Sequence, residues 1–218
     1  MHALRHSPLV AAAGAVGVRD ARVLNALADV PRAAYVPADA TGAAQQDRPI
    51  RIAGGQVTTQ PSLVAAMLEA LALRGSERVL EVGTGLGYQA ALLGRLARDV
   101  WSVERRRDLA AAAAANLARE GVRNVHVVTG DGSAGLARHA PFDAIVVAAA
   151  HPRVPPPLIE QLAPGGRLVQ PIGPSGREDV TLFRLNDDGR LERVRSVMLA
   201  HFVPLCGAHG FAPQDGDA

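Results

Sequence analysis

Hydrophobic and polar positions change rhythm several times along this chain. Behind Asp20, the residues Val23, Leu24, Leu27 and Val30 recur at helical spacing until Pro31 stops the run, which predicts a capped helix. A second helix is predicted to begin near Thr59, with Pro61 in its first turn and Leu63, Val64, Met67, Leu68 and Leu71 facing a core. Between them, residues 37–58 carry Pro, Gly and polar side chains without a period. That reads as a long loop, and such loops in compact domains are usually functional or disordered.

From Arg78 onward, short apolar runs alternate with helical ones. The pattern predicts strands over 78–82, 100–103, 125–129 and 142–147, with helices over 88–96, 108–120 and 156–162. Pro164-Gly165-Gly166 is expected to end the last helix before a strand over 167–171. The rhythm then shifts to two β-like runs, 180–185 and 191–203, flanking the turn Asn186-Asp187-Asp188-Gly189. The expected fold is α/β: a mostly parallel, doubly wound, Rossmann-like sheet ending in an antiparallel hairpin. Its organisation is expected to be one domain over 1–218, with N-terminal helices and an active-site loop over 1–75 and the Rossmann-like core over 76–205.

Composition narrows the picture. With 48% hydrophobic but only 3% aromatic residues, the core must be built mainly from Ala, Val and Leu. All 23 basic residues are Arg, and the formal charge is only +2, so no concentrated basic face for nucleic acid is expected. The run Glu104-Arg105-Arg106-Arg107 reads as a solvated helix start. The single cysteine, Cys206, excludes an internal disulfide, and no Cys/His spacing suits zinc. No apolar run reaches membrane-spanning length, and Leu9 to Val18 lacks a clear signal-peptide cleavage site, so a cytoplasmic location is expected.

The chemistry concentrates in Leu80-Glu81-Val82-Gly83-Thr84-Gly85-Leu86-Gly87-Tyr88, directly after the first predicted sheet strand. Glycines at 83, 85 and 87 let a backbone turn tightly and approach a ligand. Glu81, Glu104 and Asp131 fall at the ends of three consecutive strands. Three carboxylates there suit a cationic sulfonium donor better than a pyrophosphate, and Gly-x-Gly-x-Gly lacks the third position of the NAD fingerprint. S-adenosylmethionine is therefore favoured over NAD, with Glu104 placed to accept the ribose hydroxyls, Asp131 to meet the adenine, and no metal.

These residues resemble the protein-L-isoaspartate O-methyltransferases. The similarity runs nearly end to end, through Val30-Pro-Arg-Ala-Ala-Tyr-Val-Pro37, Asp47-Arg-Pro-Ile50, Gly55-Gln-Val-Thr-Thr-Gln-Pro61, Val79 to Tyr88, Gly130-Asp-Gly132, Phe142-Asp-Ala-Ile145, Pro164-Gly-Gly-Arg-Leu168 and Phe202-Val-Pro-Leu205. The resemblance implies a class I S-adenosylmethionine-dependent methyltransferase that esterifies the α-carboxylate of isoaspartyl residues in damaged proteins and peptides, acting as a monomer without nucleic acid or membrane. It further implies cofactor contacts from Val57, Thr58, Glu81, Gly83, Thr84, Gly85, Gly87, Tyr88, Glu104, Arg105, Asp131 and Gly132.

The chain departs from the family pattern at Val57-Thr58-Thr59, which usually reads Thr-Ile-Ser. Thr59 stands where the family's catalytic serine would be, which makes it the expected orienting hydroxyl; the alternatives are Thr58, or a Thr59 that only caps the helix. The other readings are a relative that methylates a dedicated peptide aspartate, and a cofactor-binding protein without turnover. A nucleic-acid methyltransferase is disfavoured because Ala148-Ala-Ala-His-Pro152 is not an Asn/Asp-Pro-Pro-aromatic loop.

Overall fold

The computed structural model describes residues 7–174 and 176–212. Three helices come first: α1 (Pro8–Ala15), α2 (Ala21–Asp29) and α3 (Pro61–Ala70). Asp20 caps α2, its carboxylate accepting from the Arg22 amide at 2.7 Å. The predicted apolar stripe is buried at Val23, Leu27 and Val30, with Ala26 added, while Leu24 packs at its margin.

The segment read as a loop has more order than its sequence pattern suggests. It contains 3-10 turns over Ala38–Ala43 and Ala53–Gly55 and a two-residue antiparallel pair, β1 (Ile50–Arg51) with β2 (Val57–Thr58). Two-residue strands are too short to leave a legible alternation.

The main sheet has seven strands: β3 (Arg78–Val82), β4 (Asp99–Glu104), β5 (Val125–Thr129), β6 (Phe142–Val147), β7 (Leu162–Ile172), β8 (Glu178–Leu185) and β9 (Leu191–Ala200). Their order is β5-β4-β3-β6-β7-β8-β9, parallel through β7 and antiparallel in the last two pairings. Helices α4 (Tyr88–Leu96), α5 (Arg107–Arg119) and α6 (Pro156–Glu160) connect them. One expectation fails at its boundary: β7 already starts at Leu162, and α6 is correspondingly shorter. Phe142 pairs with Leu162 and Ala144 with Arg167, so Ala163 to Gly166 bulge out of the ladder, and Gly165 takes the positive φ of 73° that the excursion needs.

Strand alternation divides the core. Val79, Val100, Ala144, Val146 and Val169 face one cluster with α1 to α4, while Leu80, Val82, Val103, Ile145 and Val147 face another with Phe142, Leu158 and Leu205. Each fully buried Leu or Val contributes roughly 1.5–3 kcal/mol, so the central strands are fixed by many small terms. The strand order reverses between β3 and β6, which run parallel, and a ligand site is expected outside their carboxyl ends. Among the described residues, no helix is long and apolar enough to cross a membrane.

Candidate active site

At the carboxyl ends of β3 and β6 lies a cavity of about 350 Å³. Its floor is the bend after β3. The Gly83 amide donates to the Val103 carbonyl at 2.9 Å and the Ala148 amide to the Val82 carbonyl at 2.8 Å, which ties three strand ends together. Gly83 and Gly85 take φ of 94° and 57° and line the cavity with Thr84 and Tyr88. A Cβ at either would sit in a conformation that side chains rarely adopt. Gly87 serves differently: at the N-cap of α4 it takes a left-handed φ of 95°, and it does not line the cavity.

The three expected carboxylates part company. Glu104 does line the cavity; it is 7% exposed and accepts from the Gly85 amide at 2.9 Å and the Arg106 amide at 3.0 Å. Glu81 does not reach the cavity wall. As the odd member of β3 it shares the face of Val79 and is fully buried, accepting from the Ser102 hydroxyl, which lies 2.5 Å from that of Thr84. Burial pushes its carboxyl up to about 8, against the Ser102 bond and with the help of the Glu104 charge, so at neutral pH it is mostly protonated.

Asp131 also lies outside the cavity wall. It accepts from the Ser133 amide and hydroxyl at 2.9 and 2.6 Å, and from the Ala208 amide at 2.7 Å. Partial burial would raise its pKa, but these bonds and nearby His209 outweigh it and hold the carboxyl below the ordinary range. It anchors the C-terminal segment, which crosses the site and lends Leu205 and Cys206 to the wall. A Cβ on Gly207 would collide with the Asp131 carboxylate at 2.0 Å. Gly132 and Arg105 line the cavity as expected.

The remaining wall is the Val57-Thr58-Thr59 segment. Thr59 lines this cavity and also a neighbouring one of about 310 Å³ bounded by Pro49, Gln60, Leu63, Met198, His201 and Phe202. With Val57, Ala148 and Val203 it stands between the two. Capping does not use it: the N-cap of α3 is Gln60, and Asp47 takes over from afar, accepting from the Ser62 amide and the Gln60 side chain, both at 2.8 Å. Thr58 is buried, and its hydroxyl accepts from Arg32 at 2.9 Å.

Sequence reasoning missed Arg32, Asp47 and Gln60 as organisers of this wall, and Ile52, Gly54, Arg106 and Cys206 as lining residues. The one available signal was Arg32 itself, a charge set within the apolar run from Val30 to Val36. Among the described residues, no group of three or more His, Cys, Asp or Glu could hold a metal ion.

Comparison with known proteins bears on this geometry. A family model described as protein-L-isoaspartate(D-aspartate) O-methyltransferase matches residues 4–210. The protein-L-isoaspartate O-methyltransferase of Anaeromyxobacter dehalogenans (strain 2CP-C) is 51% identical over 193 residues, 88% of this chain and 92% of that protein. That of Methanoculleus marisnigri is 49% identical over 195 residues, covering 89% and 88%. A solved protein-L-isoaspartate O-methyltransferase superposes with a TM-score of 0.80 at 30% identity, over 93% of this chain and 66% of that one. A Plasmodium falciparum protein described as the same enzyme, in complex with S-adenosyl-L-homocysteine, gives a TM-score of 0.77 at 22% identity over 92% and 98%, which attests the fold. By the extent and depth of these matches, the chain belongs to the protein-L-isoaspartate(D-aspartate) O-methyltransferase family.

Proposed function

We propose that this protein transfers a methyl group from S-adenosylmethionine to the α-carboxylate of isoaspartyl residues in damaged proteins and peptides. The observation that carries the reading is the position of Thr59, which lines both the glycine-floored cavity and its neighbour. The cavity fits the cofactor: positive-φ glycines permit close approach, and the buried Glu104 carboxylate, with both oxygens already held by amides, keeps lone pairs for the two ribose hydroxyls. When bound, S-adenosylmethionine supplies an electrophilic methyl group on a sulfonium.

The residues of this chain then have a modest task. A carboxylate with an ordinary pKa near ~4 is ionised at neutral pH, so no side chain has to remove a proton. Thr59 donates a hydrogen bond to one carboxylate oxygen and leaves the other free to point into the cavity. The apolar neighbours Val57, Val203 and Leu205 exclude water from the junction. Glu104, Thr84 and Gly83 hold the donor, with Val57, Thr58, Gly85, Tyr88, Arg105 and Gly132 completing its surroundings. Glu81 and Asp131 support from behind, one under the glycine bend and the other under the C-terminal segment. We read the chain as one catalytic domain working as a cytoplasmic monomer, without nucleic acid or membrane.

The test uses labelled S-adenosylmethionine and paired peptides that differ only in isoaspartate versus aspartate. Base-labile methyl ester on the isoaspartyl peptide alone is the expected result. Ester on the aspartyl peptide would point to a dedicated aspartate methyltransferase, and no transfer to either to a binding protein without turnover.

A further inference from the structure

Arg32 is the largest fully buried side chain among the described residues, 0% exposed, and it makes no ion pair among them. Its guanidinium is surrounded by oxygen. It donates to the carbonyls of Gln46 and Arg48, both at 2.9 Å, to that of Thr59 at 3.3 Å, to that of Ala44 at 3.5 Å, and to the Thr58 hydroxyl at 2.9 Å. The ring of Tyr88, the first residue of α4, lies 5.7 Å from the guanidinium carbon. A buried cation without a carboxylate in contact costs several kcal/mol unless most of its donors are satisfied, and this set of acceptors, with the charge of nearby Asp47, offsets that cost.

The acceptors have something in common. Ala44, Gln46 and Arg48 belong to the irregular segment before β1, while Thr58 ends β2, Thr59 follows it, and both line the cofactor cavity. Neither segment has a ladder long enough to fix its own position. One planar group, through its two terminal nitrogens, fastens both to the start of α4, the helix that follows the glycine bend, while its Nε is left without a partner. At Thr58 the guanidinium occupies an acceptor site of the hydroxyl, so the hydroxyl proton is turned away from Arg32.

We infer that Arg32 is a positioning residue for methyl transfer, setting the Thr58-Thr59 wall against the cofactor cavity so that the Thr59 hydroxyl meets the substrate carboxylate. The inference rests on the reaction proposed above. Lysine cannot replace it, because a single ammonium with three donors cannot span acceptors drawn from two segments.

The experiment is a double-mutant cycle on the full chain, reading kcat and KM with an isoaspartyl peptide and S-adenosylhomocysteine affinity by calorimetry. Arg32→Lys is expected to lower kcat about tenfold, with product affinity within about threefold of wild type. In a Thr59→Val background the same change should lower kcat by less than about twofold, because the group it positions is gone. A merely structural role gives losses that multiply, and that result overturns the inference. Should Arg32→Lys fail to fold, Thr58→Val and Thr58→Ser decide: a drop in kcat with valine, restored by serine, supports the inference, and wild-type kcat with valine overturns it. Wild-type protein without any transfer to the isoaspartyl peptide would instead remove the proposed reaction, and this inference with it.

Discussion

Two walls of one cavity are held in opposite ways. The bend after β3 stands on parallel strands whose amides and carbonyls are paired in register and whose side chains are buried on both faces. The Thr58-Thr59 wall stands on two-residue strands and one guanidinium that gathers oxygens from both segments. In the first wall, position is a sum of many apolar contacts, each replaceable at a cost. In the second it is concentrated in a few polar bonds, where one substitution is expected to displace the Thr59 hydroxyl without unfolding the protein.

The largest expected effect lies in the strand wall, at Glu81. Its carboxyl is raised from 4.5 to about 8 by burial, so between those values the folded protein keeps a proton that the unfolded chain has released. Raising pH through that interval therefore favours unfolding, on the order of 1 kcal/mol per pH unit, and the loss levels off above about 8. Urea unfolding across this range should show that slope in wild type and its disappearance in Glu81→Gln; equal slopes would mean that Glu81 is ionised in the fold. Next comes packing alone: Leu92, in α4 and 0% exposed, should cost about 3 kcal/mol of unfolding free energy when replaced by Ala. A cost well under 1 kcal/mol would place the rigidity of this wall elsewhere.

Glu104→Ala belongs to the strand wall, since its carboxylate receives the Gly85 amide. It should weaken S-adenosylhomocysteine binding at least tenfold in calorimetry, about 1.4 kcal/mol, with little change in unfolding. Thr59→Val belongs to the polar wall and should leave the unfolding midpoint unchanged while lowering turnover about tenfold, with cofactor affinity within a few-fold. Unaltered turnover would remove Thr59 from the reaction. The smallest effect is expected from Asp131→Ala, which frees the Ala208 amide: a product affinity about threefold weaker, or less than 1 kcal/mol, with kcat nearly preserved at saturating cofactor.

The same contrast explains what the sequence disclosed. Strands 78–82, 125–129 and 142–147 and the helix over 88–96 were legible because period two and period 3.6 are written in their apolar residues. The glycine bend was legible because only glycine meets its backbone demands. The loop from 37 to 58 was not, because its order comes from carbonyl oxygens, which every residue carries, converging on Arg32. Strand-end position did not settle which carboxylates reach the cavity either. Glu81 turned into the core by alternation along β3, and Asp131 was drawn to the Ser133 and Ala208 amides, a partner 77 positions further along the chain.

Glu81, enclosed and holding its proton at neutral pH, changes the character of the pocket. Of the three acidic groups near the glycine bend, Glu104 alone lines the cavity as an acceptor, and it does so at 7% exposure, shielded from mobile ions. Capture of a sulfonium there relies on short-range fit in place of a long-reaching negative field. Such a site keeps its donor at an ionic strength of about 0.15 M, where the Debye length is only ~8 Å, and offers little purchase to unrelated cations.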